Sequence, residues 1–371
     1  MAILALAPPP SKAKPFSFPP LHTPKFNPNS LHYPTNTRSF THNTFASEKY
    51  ESNIKRVMPI VSASSIPLSG DRKDSKFGNI LLSDVVVKSR RNVFWGRNWN
   101  SLDVTAIVVI VTMHVLCIFA PFTFNWGAFW VAFGLYVITG LFGITLSYHR
   151  NLSHGSFKVP KWLEYFFAYC GVQALQGSPI PWVSNHRYHH QFCDSAKDPH
   201  SPIEGFWFSH MNWIFDTKTI VQKCGKPNNV GDLRKQPYYK FLQNTYLIHP
   251  IVLGAVLYAV GGFPYIVWGM GVRIVWVYHI TWLVNSVCHV WGRRAWNTDD
   301  LSRNNWWVAV LSFGEGWHNN HHAFEYSARH GLEWWQFDMT WYVIRLLQAI
   351  GLANDVKLPT TAQKQKMAFI N

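Results

Sequence analysis

The sequence predicts an all-α integral membrane protein with four transmembrane helices in two hairpins and a helical cap that holds a histidine-rich metal site. Two stretches, 104–148 and 241–292, carry a single charge between them, and each exceeds the roughly 20 residues that one membrane span needs. Only 14% of the 371 residues are charged, against about 25% in soluble proteins. Nine of the 18 histidines lie in short clusters outside these stretches or at their ends.

The N-terminal segment has the composition of a cleavable targeting sequence. Residues 1–47 contain no Asp or Glu but four Lys or Arg, and nine prolines fall by position 34. A segment that is basic, rich in Ser and Thr and free of acids is typical of an organelle transit peptide, and the prolines favour a plastid. We therefore predict a disordered plastid transit peptide over 1–63, with processing near "IVSAS" at 60–64, and an N-terminal arm over 64–100. A disordered tail that is never cleaved is the alternative.

The two apolar stretches each divide into a helical hairpin. "PFTFNW" at 121–126 is a natural turn between spans near 102–121 and 127–147. "GGFPY" at 261–265 separates spans near 244–261 and 265–288. Because each hairpin crosses the membrane and returns, every long polar segment lies on one side. The histidine clusters can therefore meet in a single cap.

Two further amphipathic segments complete the predicted membrane domain at 101–355, which a C-terminal tail at 356–371 follows. Residues 161–175 are apolar but too short to span and contain Glu164, which favours an interfacial or re-entrant helix. Residues 331–352 alternate an apolar stripe with polar positions, which favours an amphipathic helix along the membrane or the cap.

The histidines recur in a pattern that indicates metal binding. "HRYHH" at 186–190 and "HNNHH" at 318–322 place three imidazoles at i, i+3 and i+4, on one helical face. "HRNLSH" at 149–154 and "NSVCH" at 285–289 add three more. The candidate ligands are His149, His154, His186, His189, His190, His289, His318, His321 and His322. Nine imidazoles exceed what one metal takes, so two metals with four or five ligands each fit the count.

Oxygen-bearing side chains near these clusters extend the predicted site. Asn285 lies one helical turn before His289 and could reach a metal directly or through water. Glu315, Asp194 and Asp198 are candidates for orienting ligand imidazoles, with a helix cap or a surface salt bridge as the alternative. Imidazole suits zinc, copper, iron and nickel, so the ligands alone do not name the metal.

Other functional classes fit less well. A metalloprotease of the H-E-x-x-H kind needs a motif that this sequence lacks. A metal transporter predicts ligands along the spans, whereas these clusters lie at span ends. The net charge of +15 is not organised as a nucleic-acid module, so we expect no nucleic-acid partner. Five scattered cysteines without C-x-x-C indicate a reducing compartment and no disulfide framework.

Single residues within the spans receive simpler interpretations. Arg273 is a charge inside the fourth span, which is functional by default, although an internal hydrogen bond or snorkelling is the plainer explanation. His114 and His279 also lie in spans, away from the clusters, and we interpret them as packing residues.

Taken together, "HRNLSH", "HRYHH", "NSVCH" and "GEGWHNNHH" resemble the histidine boxes of the membrane acyl-lipid and acyl-CoA desaturases, over roughly residues 85–355. The resemblance implies two Fe²⁺ ions per chain held by the nine histidines, with Asn285 linked to one iron through water. It implies that O2 and two electrons are consumed to place a cis double bond, Δ7, in palmitoyl chains of plastid monogalactosyldiacylglycerol. A Δ9 desaturase or a lipid hydroxylase on the same scaffold is the alternative. Asn320 stands where many animal relatives have an aromatic residue and Glu325 where they have Pro, and these two differences leave all nine ligand positions unchanged.

The resemblance also implies a location and partners. The chain would be a multi-pass protein of a chloroplast membrane, with its catalytic face toward the stroma and a galactolipid or other acyl-lipid as substrate. The sequence carries no flavin or dinucleotide motif, so electrons must come from outside, and ferredoxin is the implied donor. Basic residues of the cap could attract this acidic protein, or they could only set topology: Lys218, Lys223, Lys226, Arg234, Lys235, Arg293 and Arg294.

Overall fold

The computed structural model describes residues 76–369 of the chain. Over this range the fold is helical, and the only strand-like pairings are isolated bridges such as the one between Lys158 and Asn354. The all-α prediction is therefore confirmed for the described part. The predicted transit peptide at 1–63, its processing site and the beginning of the N-terminal arm at 64–75 lie outside the described residues.

Three helical stretches of the described part are long and apolar enough to cross a membrane. They are α1 (Ser101–Ile118), α2 (Trp126–Ser153) and a run of 43 residues from Ile248 to Val290. The last run comprises α9 (Ile248–Ile266), a π-helical segment at 267–272 and α10 (Arg273–Val290). Within it only Gly261 and Gly262 leave helical geometry, Gly262 with φ of 65°. The turn predicted at "GGFPY" is thus a break of two glycines.

Polar caps fix where the first two long helices begin. The side chain of Asn100 accepts a hydrogen bond from the Asp103 backbone, and the Asp103 carboxylate accepts one in return from Asn100, which satisfies two otherwise free backbone donors. Asn125 caps α2 in the same position. A short 3₁₀ turn at Ala120–Phe122 joins the two helices, close to the predicted turn.

The second long helix continues six residues beyond its predicted end. Its first part, Trp126–Tyr136, is α-helical, and its second part, Val137–Ser153, is π-helical. The extension carries His149 into the helix rather than leaving it at the exit. Against this part packs α3 (Lys161–Val172), which confirms a helix in the segment predicted at 161–175.

The crossing of α2 and α3 depends on two glycines. A Cβ added to Gly143 would lie 2.5 Å from the Gly171 backbone nitrogen, and one added to Gly171 would overlap the ring of Tyr148. The two backbones therefore touch, which brings the buried ring of Tyr148 into the core formed by α2, α3, α4 and α8.

The remaining helices are shorter and form most of the cap. They are α4 (Pro179–Phe192), α5 (Phe206–His210), α6 (Thr217–Cys224), α7 (Gly231–Arg234), α8 (Pro237–Asn244), α11 (Trp306–Leu311), α12 (His318–Ala323), α13 (Met339–Ala349) and α14 (Thr361–Met367).

The amphipathic helix predicted over 331–352 is shorter than expected. It begins only at Met339, because the Asp338 carboxylate accepts hydrogen bonds from the backbone of Trp341, His330 and Gly331. These bonds cap α13 and hold the preceding residues in a loop. The helical prediction over 331–338 was therefore wrong.

Candidate metal centre

His149 and His154 share one face of α2 because the helix is of the π type there. Five residues turn an α-helix by about 140° beyond a full turn, which would separate the two side chains. In the structure the backbone N–H of His154 donates to the carbonyl of His149 at 3.2 Å, the i to i+5 bond of a π-helix. This places the two imidazole centroids 4.9 Å apart.

The second histidine cluster lies on α4, as predicted. His186 and His190 turn toward α2, and the Nε2 atoms of His154 and His186 are 2.8 Å apart. His189 points away from this pair toward α10, where its ring lies 5.2 Å from that of His289. One helix thus contributes to two separate groups of imidazoles.

The third cluster begins at a tight turn. Phe313 and Gly314 have positive φ, 58° and 114°, and a Cβ on Gly316 would overlap the backbone of Ala309. The "GEG" sequence therefore permits the close packing against α11 from which α12 begins. His321 then faces the α2 side, while His318 and His322 face His289.

The nine predicted histidines assemble into two groups, each with nitrogens within 4.8 Å of one another. The first group comprises His149, His154, His186, His190 and His321. The second comprises His189, His289, His318 and His322. In the first, Nε2 of His321 lies 3.1 Å from that of His149 and 2.9 Å from that of His190. In the second, Nε2 of His318 lies 3.0 Å from that of His289 and 3.1 Å from that of His322.

Carboxylates hold the opposite nitrogen of several of these rings. Nδ1–H of His289 donates to Asp194 at 2.9 Å, and Nδ1–H of His189 donates to Asp198 at 3.1 Å. His322 Nδ1 is 2.8 Å from Asp300. In the first group, His149 Nδ1 lies 2.5 Å from Glu315, and His190 Nδ1 lies 3.3 Å from Glu325. A neutral ring that donates from Nδ1 presents a lone pair at Nε2.

This arrangement fits metal ions. The Nε2 lone pairs face one another at hydrogen-bonding distance, so each group needs a cation or protons between its rings. Burial, reinforced by the neighbouring imidazoles, holds the pKa of His186, His318 and His321 well below the ordinary value of 6.5. Protons are therefore disfavoured there at neutral pH, and imidazole nitrogens with carboxylates behind them are a ligand set for transition metals.

The carboxylates themselves are ionised. Burial alone would raise the pKa of Asp198, but the adjacent rings of His189 and His200 outweigh it and lower that pKa. The pKa of Asp300 is lowered against burial in the same way, mainly by His322. Asp194, Asp198 and Glu315 make the contacts expected from the sequence. Asp300 and Glu325 were not predicted to do so, since neither spacing nor motif connects them to an imidazole.

Comparison with known proteins identifies the family. A family model for fatty acid desaturases matches residues 128–352. The palmitoyl-monogalactosyldiacylglycerol delta-7 desaturase, chloroplastic, of Arabidopsis thaliana is 63% identical, over 94% of this chain and 96% of its own length. The chain belongs to the fatty acid desaturase family. It is an oxidoreductase of that family, and its two histidine groups are compatible with the family's metal site.

Two further relatives differ in substrate. A probable chloroplastic lipid desaturase of Arabidopsis thaliana is 55% identical, over 94% of both chains. An acyl-CoA 5-desaturase of Anemone leveillei is 59% identical, over 83% of this chain and 95% of its own. The two chloroplastic relatives therefore align over a larger share of this chain than the acyl-CoA relative does.

Two cavities of the desaturase adjoin the histidine groups. The larger, of about 370 Å³, is lined mostly by apolar and aromatic side chains, among them Trp182 and Trp282, and reaches His186. The smaller, of about 50 Å³, reaches His149, His189 and His318. Asn285 lines both cavities, together with His186 in the larger one and with His149, His189 and His318 in the smaller one.

A buried arginine that the sequence analysis overlooked supports the first histidine group. The guanidinium of Arg150, next to His149, donates to Glu315 at 2.9–3.0 Å and to Asp338 at 2.9–3.0 Å. It balances the charge of the carboxylate that contacts His149. No signal in the sequence marked it, because Arg150 lies beyond the predicted end of the second span at 147, whereas the helix extends to Ser153.

Arg273 makes the internal hydrogen bonds that the plainer interpretation anticipated. Its guanidinium is buried and donates to the carbonyls of Gly269 at 2.6 Å and Gln173 at 2.7 Å. These bonds satisfy a charge inside the helical bundle and connect α10 to the end of α3.

The span histidines are more than packing residues. Nε2 of His114 lies 3.1 Å from Nε2 of His279, whose Nδ1 lies 3.0 Å from Nε2 of His210. His210 Nδ1 in turn is 3.0 Å from the hydroxyl of Ser286. This hydrogen-bonded row links α1, α5 and α10, so the prediction of simple packing was incomplete.

One member of the predicted basic surface is not available to a partner. The Lys223 ammonium is largely buried, donates to the Asp198 carbonyl at 2.8 Å and pairs with Glu204. It therefore supports the loop behind His189. Lys218, Lys226, Arg234, Lys235 and Arg293 are exposed, whereas Arg294 is half-buried and donates to the Thr298 carbonyl.

Proposed function

We propose that this desaturase introduces a cis double bond, at Δ7, into palmitoyl chains of monogalactosyldiacylglycerol in the plastid. The observation that carries the proposal is the 63% identity, over 94% of the chain, to a relative named for that activity. The converging histidine groups and the apolar cavity beside them supply the corresponding chemistry and space.

The nine histidines would hold two iron ions, with four or five imidazoles each. The first iron would take His149, His154, His186, His190 and His321, and the second would take His189, His289, His318 and His322. Asn285, which lines the cavity beside them, would reach one iron through water. When bound, the iron pair with O2 supplies an oxidant for an unactivated C–H bond, which no acid–base side chain can attack.

The side chains around the centre have separate tasks in this reaction. The carboxylates of Asp194, Asp198 and Asp300 hold the Nδ1 atoms of three imidazoles and so fix the direction of the opposite nitrogens. The aromatic walls of the larger cavity hold a saturated chain and exclude water. Overall, O2 is reduced to two waters. Two of the hydrogens in these waters come from the chain, which gains one double bond, and the other two are supplied as two electrons and two protons from outside.

The membrane arrangement that we propose has four spans in two hairpins. The run from Ile248 to Val290 contains 43 residues, about 65 Å of helix, roughly twice the hydrocarbon thickness. The break at Gly261 and Gly262 is the natural place for the chain to reverse within it. Both hairpins then return to one face, where the cap would lie toward the stroma.

The plastid location rests on the N-terminal composition and on two relatives. Both relatives are chloroplastic, and each alignment covers 94% of this chain. We propose a transit peptide over 1–63, an arm over 64–100, the membrane domain over 101–355 and a tail over 356–371, in a chloroplast membrane.

Ferredoxin is the proposed electron donor. The exposed cations Lys218, Lys226 and Lys235 would attract an acidic protein, while Lys223 is excluded from that surface by its buried pairing with Glu204. Charge reversal at two exposed positions, Lys218→Glu with Lys226→Glu, should raise the donor concentration needed for half-maximal turnover and leave lipid binding unchanged.

Lipid profiling of cells that express the chain tests the function. We expect hexadecenoyl galactolipid with a Δ7 double bond from the native chain, none from His189→Ala, and native levels from His249→Gln, a histidine outside both groups. A double bond at another position would show that the enzyme is not a Δ7 desaturase. A hydroxylated product would show that it is a hydroxylase. Iron analysis of the purified protein should give two ions per chain.

A further inference from the structure

The larger cavity has exposed residues from the beginnings of two membrane helices in its lining. Leu102 and Thr105 of α1 and Leu247, just before α9, all line it. All three are exposed, Leu102 by 66% and Leu247 by 42%. Farther along α1, Ile110 lines the same cavity and is only 5% exposed. The exposure gradient along one face of α1 thus gives the direction from mouth to interior.

The two helices contact each other at their far ends. The rings of Phe119, after α1, and Phe263, after the break in α9, lie 5.6 Å apart. Nearer the middle, Ile110 and Leu257 belong to one buried cluster. At the other end Leu102 and Leu247 both line the cavity. The exposed part of the lining therefore lies at the end where the two helices begin.

Hydrogen bonds between the beginnings of α1 and α6 lie on the side of this opening that faces the cap. The Asp103 carboxylate accepts hydrogen bonds from the backbone and the hydroxyl of Thr217 at 2.9 and 2.7 Å. Asn100 donates to the same hydroxyl at 2.7 Å. These bonds attach the start of α1 to the start of α6. Access from the cap side is thereby restricted, and the opening between Leu102 and Leu247 remains.

The chemistry of the lining indicates what passes through. Among the described residues that line the cavity, the histidines are the only ionisable side chains besides two tyrosines. The lining thus offers no Arg or Lys to a phosphate and suits an uncharged acyl chain, whose headgroup would remain outside the cavity. Since α1 and the run that starts with α9 are both long and apolar enough to cross a membrane, the mouth between their first turns meets the bilayer.

We propose that the opening between Leu102 and Leu247 is a lateral portal, through which the saturated acyl chain of a bilayer-resident galactolipid enters while its headgroup stays at the membrane surface. This inference rests on the proposed function, because it assigns the route by which that substrate reaches the histidine groups. The route requires no extraction of the lipid into water.

A photoreactive lipid tests the portal without iron. The probe is monogalactosyldiacylglycerol with a diazirine near the methyl end of its palmitoyl chain, in vesicles of galactolipid and phosphatidylglycerol. In the metal-free protein we expect it to label interior residues such as Trp282 and Tyr278. Leu102→Trp and Leu247→Trp, which narrow the mouth, should lower interior labelling at least tenfold while labelling of the outer helical surfaces persists.

Matched controls lie farther along the same helices, six residues after Leu102 and four residues after Leu247. Val108→Trp and Ile251→Trp add the same ring at exposed positions that do not line the cavity, at 56% and 68% exposure, and should keep interior labelling within twofold. Unchanged thermal unfolding of the portal variants would show that they fold.

Three outcomes would overturn the proposal. The first is native interior labelling in both portal variants, and the second is no interior labelling of the native chain by the lipid. The third is stronger interior labelling by a diazirine acyl-coenzyme A that the portal variants do not reduce.

The variant His189→Ala separates the portal from the proposed function, since it should abolish the desaturated product yet keep interior labelling. Interior labelling without any desaturation by the native chain would contradict the proposed function and leave the portal standing.

Discussion

Asp194 accepts a 2.9 Å hydrogen bond from Nδ1 of His289, although 95 residues separate them. Asp194 follows α4 in a left-handed conformation, with φ of 53°, which is uncommon for a residue other than glycine. Its carboxylate also accepts bonds from the backbone of Leu301 and the hydroxyl of Ser201. One strained residue therefore connects the second histidine cluster, the end of α10 and the loop before α11.

Replacing this carboxylate should weaken metal binding more than folding. In Asp194→Asn the side chain keeps its size but loses the charge that orients His289. We expect iron content and desaturation to fall by roughly 10–100-fold, measured by metal analysis and product formation. Asp299→Asn, at an exposed acid of the same polar loop, should behave as the native chain. Native iron content in Asp194→Asn would show that the contact does not support the centre.

The metal-free protein should lose stability as the pH falls from about 6.5 to 5. Burial, with neighbouring imidazoles, lowers the pKa of His200 and of His322 to about 3. Below about pH 6.5 these histidines are protonated in the unfolded chain but stay neutral in the folded chain. Each such group therefore lowers the free energy of unfolding by up to about 1.4 kcal/mol per pH unit. Thermal unfolding at several pH values measures this.

His200→Gln provides the control for that pH dependence. The variant removes one buried imidazole, so its unfolding midpoint should fall less steeply with acidification than that of the native chain. Equal slopes would mean that His200 is already protonated in the folded protein, or that its proton uptake is the same in both states.

The buried arginine should be costly to remove. Arg150→Met leaves Glu315 and Asp338 without their shared guanidinium, and breaking a buried ion pair on one side costs about 3–5 kcal/mol. Lys158→Met breaks an exposed pair with Asp355, which water and salt screen, so its cost in stability should be far smaller. Chemical or thermal unfolding of both variants gives the comparison, and similar losses would contradict it.

The backbone crossing between α2 and α3 should reject even a small side chain. In Gly143→Val the new atoms would overlap the backbone at Gly171, and overpacking of this kind costs about 1–3 kcal/mol or more. Gly134→Val, in the same helix with open space around its Cβ position, is the control. If both substitutions lower the unfolding midpoint equally, helix propensity rather than the crossing is responsible.

Some of this architecture follows from local patterns in the sequence. The apolar stretches predicted long helices because a membrane span needs length without charge, and the helix with "HRYHH" was predicted because i, i+3 and i+4 spacing gives one face. The helix predicted over 331–338 does not form, because the Asp338 carboxylate accepts hydrogen bonds from Arg150 and from backbone N–H groups. Apolar periodicity does not reveal these partners.

The sequence by itself determined that histidines recur in clusters near the ends of long apolar stretches, since spacing along the chain is a local property. From this it predicted which residues bind metal and that they meet on one side of a membrane. The tertiary structure alone decided how nine imidazoles divide into groups of five and four. That division depends on a π-helical turn at His149 and on carboxylates brought from distant loops, such as Asp300 to His322. Contacts between chain segments so far apart are fixed by packing, which no single motif encodes.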